Sequence, residues 1–451
     1  MAVVAPFKGM TYDFEKIGDI SKLITPPYDV ISEDEQKEYY NSDPHNVIRL
    51  ILGKNKTGDS DWDNRYTRAA EYLERWESGG VIRRSDLPAM YLTCHEYTPG
   101  DGSGPRVRWG IVALVRIEDE GSGVILPHEK TFSAHKNDRL KLMRACSSQL
   151  SQIFGLYDDS ENRISGYIKK AASDQPSVSF EYRDGTKHGM WEITDQALFK
   201  RFADVMSGKS IFIADGHHRY ETARNFRDIM RSRHSRSSVN RAYEYVMMYL
   251  TDMNDAGLTI LPSHRLIKKC DEFQLETFFE RLRPYFDISE LPVSSSDYQD
   301  QSDSIRQILK EKGQESTSMI FHYHKGSSRY LLSLRPGAEK EMGDGLHPSL
   351  KQLDVVVLSR LVFERGLGFL DADLDNDRIF HYSSDMEYVL SKVDAGDYAM
   401  AFLLNPTKMD HVKMVASNSQ ILPRKSTYFY PKVLTGLVFN KIDPNENIRT
   451  F

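Results

Sequence analysis

Apolar positions along this chain follow two rhythms. Steps of three and four mark helices, and short unbroken runs mark buried strands. Tyr66, Ala69, Ala70, Leu73 and Trp76 keep the helical step between Ser60 and Glu77, and Gly79-Gly80 ends it. Ala223, Phe226, Ile229 and Met230 share one helical face. Leu140, Met143 and Leu150 predict a helix after Asp138-Arg139. Others are expected from Asp195 to Met206, from Glu276 to Leu282, and after Ser32, which with Glu35 forms a capping box. Strands are expected at Ala2–Phe7, Val47–Leu52, Met90–Tyr97, Val107–Ile117, Ile153–Tyr157, Ile211–Ala214, Tyr245–Leu250, Leu258–Leu261 and Ala399–Leu404. Another ends at Pro127, and the glycine-rich turn from Pro99 to Pro105 makes a hairpin of its neighbours.

This mixture predicts an α/β fold with α+β character. The composition shifts between Lys268 and Lys351. Strands are expected there at Met319–Phe321 and Tyr330–Leu334, and Pro292 to Ser304 is rich in Ser, Asp and Gln. The expected organisation is a core over 1–267, an inserted or appended α/β region over 268–351, and a segment over 352–451 that returns to the core. Leu353–Leu358 opens a long helix or a strand-helix.

Charge and thiols narrow the class. Net charge is −6, the wrong sign for a nucleic-acid surface. The basic run Arg231–Arg236 reads as a solvated helix end and loop. Cys94, Cys146 and Cys270 are far apart and form no paired motif, so a reduced, cytoplasmic protein is expected. No apolar run reaches membrane-span length.

Candidate chemistry concentrates at Ala214-Asp215-Gly216-His217-His218-Arg219-Tyr220-Glu221-Thr222-Ala223. An apolar strand precedes it and a helical pattern follows. Strand, glycine turn and helix start together aim free N–H groups and a positive dipole end at the turn. Gly216 allows close approach. His217, His218 and Arg219 add donors, and Arg219 can fork onto two oxygens. The combination suits a phosphate. The competing readings are a solvated loop with one buried His, or half of a metal site. Other candidates are His128-Glu129 after Pro127, where the carboxylate could act as a general base or merely cap the next element. The basic pair His264-Arg265 suits an anion or a surface turn. The run Leu422–Lys432, with Arg424, Lys425, Ser426 and Thr427 between prolines, suits an anion or a polar loop.

These landmarks resemble one family over nearly the whole chain. Pro26-Pro27-Tyr28-Asp29-Val30, Leu126-Pro127-His128-Glu129, Asp138-Arg139, Ala214–Ala223, Leu261-Pro262-Ser263-His264-Arg265 and Lys425-Ser426-Thr427-Tyr428-Phe429 match, in order, domain-of-unknown-function family 1015. Ser263 stands where that family is expected to carry Thr, and it keeps the hydroxyl. The central motif is also similar to the Asp-Gly-x-His-Arg signature of the ParB/sulfiredoxin-like fold, whose members include free serine kinases. That resemblance implies a nucleotide-binding core with large α/β additions. It implies Gly216, His217, His218 and Arg219 on nucleotide phosphates and Glu129 as the glutamate that takes the hydroxyl proton. The implied activity is phosphoryl transfer from ATP or ADP to free L-serine. His218 and Asp215 would join Glu129 in catalysis, and Asp215 would also hold Mg²⁺. Arg265 is expected on the nucleotide, and His128, Arg139, Lys425, Ser426 and Thr427 on the substrate. Serine and nucleotide are the expected partners, with no nucleic acid and no membrane; a homodimer is the assembly kept in view. The alternatives are a nucleotide hydrolase or nucleotide-switched binding protein, and sulfiredoxin-type reduction at Cys146.

Overall fold

In the computed structural model the described residues are 1–129, 131, 133–234, 240–268, 273–293, 295–324, 326, 328–374, 376 and 378–451. Cys270, Lys130 and the end of the basic run, Ser235-Arg236, lie outside them. The fold is mixed α/β, built on two sheets.

The first sheet comprises β1 (Val4–Ala5), β2 (Met90–Tyr97), β3 (Arg106–Arg116), β4 (Ile125–Leu126), β5 (Ile153–Tyr157), β6 (Val178–Glu181), β7 (Lys187–Ile193), β8 (Ile211–Asp215) and β9 (Tyr245–Asp252). Their order is β4-β8-β5-β9-β3-β2-β7-β6, with β1 beside β3. The expected hairpin is β2–β3, pairing Tyr91 with Val112 and Tyr97 with Arg106. β4 runs parallel to β8, so both strands release their chains at the same edge. Two apolar clusters sandwich the sheet: one faces Phe154, Tyr249 and Phe439, the other Phe202, Ile213 and Met248.

The second sheet is antiparallel. It takes β10 (His264–Ile267), β11 (Phe286–Pro292), β12 (Ser318–Tyr323), β13 (Ser328–Leu334), β14 (Phe380–Ser383) and β15 (Met400–Leu404) in the order β11-β13-β12-β15-β10-β14. Its core gathers Phe278, Phe321, Phe363 and Phe402. Beyond the second sheet, two separate two-stranded pairings follow: Tyr428–Tyr430 with Thr259–Leu261, and Asn440 with Gln149.

Four helices matter below: α1 (Arg65–Ser78), α2 (Ser133–Cys146), α3 (Gln196–Met206) and α4 (His217–Arg233). α1 starts later than its apolar spacing suggests because the Asn64 side chain caps the N–H groups of Tyr66 and Thr67.

One expectation needs correction. Val47–Leu52 is not a strand; Ile48–Ile51 is a short helix, started by the Asn46 side chain accepting from the Ile48 N–H at 2.8 Å. A short run buried all round does not distinguish the two. The Ser/Asp/Gln-rich stretch runs into an 18-residue helix, Tyr298–Glu315, capped by Asp297. Beyond Leu353, the helix Asp354–Val357 passes into a π-helix, Leu358–Leu367. Among the described residues no helix is long and apolar enough to cross a membrane.

Candidate functional site

β8 is buried through Ala214, and its register against β5 shifts between Ile213 and Asp215. Such a bulge re-aims the side chains beside it. Gly216 follows with φ 94° and ψ 29°, a left-handed conformation. A Cβ here would meet the Arg219 guanidinium at 2.9 Å. α4 then begins at His217, so its first N–H groups open at the sheet edge.

The parallel pairing of β4 with β8 brings His128-Glu129 to that same edge. The His128 backbone N–H donates to His217 Nε2 at 3.3 Å. With Nε2 accepting, the neutral ring carries its proton on Nδ1, which lies 3.4 Å from Glu129 Oε2. Burial, helped by the charges of His218, Arg219 and Lys432 and opposed by Asp215, pushes His217 down to about 3. The other carboxylate oxygen, Oε1, accepts the Lys425 backbone N–H at 3.2 Å. Lys425 reaches this position with φ 55°, left-handed for a non-glycine residue. Glu129 is thus gripped at both oxygens while 30% of its side chain stays exposed. His128 is buried, and burial with the neighbouring His217 pushes it down to about 3; its Nε2 lies 3.4 Å from Thr427 Oγ1.

Asp215 sits in a cationic frame. Its Oδ1 accepts from Lys432 Nζ at 2.8 Å and its Oδ2 from Arg219 Nη2 at 2.5 Å. Burial raises its pKa, but Lys432, Arg219 and Lys425 more than offset this and hold the carboxyl well below the usual range. Arg219 also donates to the Gln152 carbonyl, so its fork is turned on the protein itself. Lys432 stacks 4.6 Å over Tyr428. Arg108, fully buried on β3, sets Lys432 in place by donating to the carbonyls of Tyr430 at 3.1 Å and Pro431 at 2.8 Å. His218 is half-buried, its ring 5.0 Å from His135; burial and that ring lower its pKa.

Both Asp215 oxygens are engaged by cations, and among the described residues no group of three or more His, Cys, Asp or Glu could hold a metal. The residues present do not fit Mg²⁺ at Asp215. Other expected site residues are engaged within the protein. Arg139 spends its guanidinium on Asp138 and the Ile51 carbonyl, 3.9 Å over the Tyr28 ring. Ser426 turns its hydroxyl onto the Pro423 carbonyl at 2.5 Å. His264 and Arg265 form no surface turn; both are buried in β10. Cys94 and Cys146 are buried and free, and burial pushes each thiol up to about 12, which disfavours the thiolate that sulfiredoxin-type chemistry needs.

Sequence reasoning assigned no role to Lys432, Arg108 or Asp29. Lys432 ends the proline-bracketed run, but only the fold shows it meeting Asp215. Asp29, exposed after Pro26-Pro27, bears electrostatically on His218 and Lys432.

The profile of the family "Protein of unknown function (DUF1015)" matches residues 4–356. The chain belongs to this family. Among curated proteins none matches the sequence. Solved structures similar to it include a free serine kinase in complex with AMP, with TM-score 0.37 and 10% identity over 74% of this chain and 93% of that one. A conserved hypothetical protein from Pyrococcus furiosus gives 0.34 and 10% over 75% and 94%. SbnI with C-terminal truncation from Staphylococcus aureus gives 0.32 and 9% over 72% and 85%. These likenesses are loose, and the chemistry has to be read from the site.

Proposed function

We propose that this protein is a kinase that transfers a phosphoryl group from ATP or ADP to the hydroxyl of free L-serine, giving O-phospho-L-serine. The observation that carries the reading is the placement of Glu129. Its carboxylate is held by the Lys425 N–H and His217 at the start of a helix that opens on a left-handed glycine. A fixed, partly exposed carboxylate beside an anion-binding helix terminus is the pairing that hydroxyl-to-phosphate transfer requires.

In the proposed reaction the transferring phosphoryl group rests on the N–H groups of His217, His218 and Arg219. The cations of Lys425 and Lys432 offset its charge, and the side chain of His218 is at hand as a hydrogen-bond donor. Serine approaches between this turn and Glu129. Its hydroxyl oxygen forms a new bond to phosphorus, the bond from phosphorus to the bridging oxygen breaks, and the shortened nucleotide leaves. Glu129 takes the hydroxyl proton. Asp215 fixes Lys432 and Arg219 and touches no reacting atom.

The test incubates purified protein with L-serine, Mg²⁺ and ATP or ADP, and detects O-phosphoserine by mass spectrometry. Glu129→Gln is expected to lower the rate by about 10²–10⁴-fold, the usual worth of a positioned base. Nucleotide hydrolysis without phosphoserine would move the acceptor from serine to water. Absence of nucleotide binding would overturn the reading.

A further inference from the structure

β10 alternates as strands do, and Arg265 lies on the face opposite its neighbour His264. There it lines a cavity of about 310 Å³ between the second sheet and the Ile421–Arg424 segment. Arg265 is 4% exposed. It donates to two backbone carbonyls, those of Ser263 and, at 3.0 Å, Lys425, and it lies 5.2 Å over the Tyr382 ring. Among the described residues it has no carboxylate partner. Neighbouring Arg360, by contrast, pairs with Glu364 at 2.7 Å. Carbonyls satisfy donors but leave the charge uncompensated, and an uncompensated buried charge is costly. Burial without an anion draws its pKa down to about 10.

A second observation marks the same place. Ser359, Arg360, Phe363 and Glu364 line the cavity from the π-helix Leu358–Leu367. π-helical turns are rare and occur frequently at functional sites. Leu346, Leu350, Phe363 and Phe380 supply an apolar wall. The volume lies at the lower end of small-molecule pockets, which combine apolar walls with a few placed polar groups.

We infer that this cavity binds a small organic anion, its carboxylate or phosphate paired with Arg265 and its apolar body against Leu350 and Phe363. The site is separate from the Glu129 cluster and does not depend on the phosphoryl-transfer reading. The two meet at Lys425, whose carbonyl accepts from Arg265 and whose N–H holds Glu129.

The test is saturation-transfer NMR on the full chain with three probes: 3-phenylpropionate, phenyl phosphate and the neutral 3-phenylpropanamide. Saturable binding of either anion, at least tenfold tighter than the amide, is expected, and the anion that binds identifies the headgroup. Arg265→Met should weaken that anion at least tenfold. Leu350→Trp should do the same by filling the cavity with the charge intact, so the result survives if Arg265→Met does not fold. No saturable binding of either anion to wild type, or wild-type affinity in both variants, would overturn the proposal. ADP binding by wild type is measured separately and bears only on the phosphoryl-transfer reading.

Discussion

Replacing Lys432 by methionine isolates the electrostatic frame of the site. The Lys432 side chain is 13% exposed and that of Asp215 16%, so the pair is poorly solvated. Lys432→Met leaves that carboxylate charged, with Arg219 as its remaining cation. Stripping one partner from a buried pair costs about 3–5 kcal/mol, and Arg219 keeps the loss near the lower end. At roughly 1 °C per kcal/mol for a chain of this length, about 3 kcal/mol lowers Tm by roughly 3 °C. Asp215→Asn costs a similar amount, because Lys432 and Arg219 then face each other without their anion. The double variant removes both halves of the pair, so its cost falls short of the sum by about 1–3 kcal/mol. Scanning calorimetry of the four proteins at pH 7.5 and low salt measures the cycle. A Lys432→Met Tm within about 1 °C of wild type, or strictly additive losses, would refute the reasoning.

Further consequences follow from the same geometry. His128, His217 and His264 are pushed down by burial to about 3 and His188 to about 4. The unfolded chain therefore binds more protons than the fold below pH 6.5, and stability falls as pH drops from 6.5 toward 4. At pH 5 each costs about 2 kcal/mol, and a Tm unchanged between pH 7.5 and 5 would show that these rings are not buried neutral. Gly216→Ala forces a left-handed side chain against Arg219. It should cost about 1–3 kcal/mol in urea unfolding and weaken nucleotide binding; a neutral substitution would place the turn differently. Arg108→Met frees the Tyr430 and Pro431 carbonyls and should cost about 1–3 kcal/mol while weakening ADP binding by calorimetry. Binding at wild-type strength would separate Arg108 from the site.

The strand, glycine turn and helix around Gly216 are readable from sequence because each carries a local signal: a β-branched run, a residue free to adopt positive φ, and a helical step. The meeting of Glu129 with His217 is not local. It depends on β4 pairing parallel to β8, a choice made by the whole sheet. Lys432 reaches Asp215 only because the buried Arg108 anchors the returning chain. The Tyr298–Glu315 helix hides behind polar composition, since its buried face is narrow: Gln301, Ser302, Ile305 and Leu309. His264-Arg265 looks like a surface turn because two basic residues seldom lie in a buried strand. Their burial becomes visible only once β14 and β15 cover β10 on both sides.

The hold on Glu129 from residue 425 is made by the peptide group, not by the lysine side chain. Any residue able to adopt that left-handed turn can supply the same N–H, and glycine does so with the least strain. Searches keyed to residue identity are therefore blind to this half of the grip. A relative lacking lysine there could still aim its glutamate in the same way, and a designer could change the charge at 425 without touching the carboxylate's anchor.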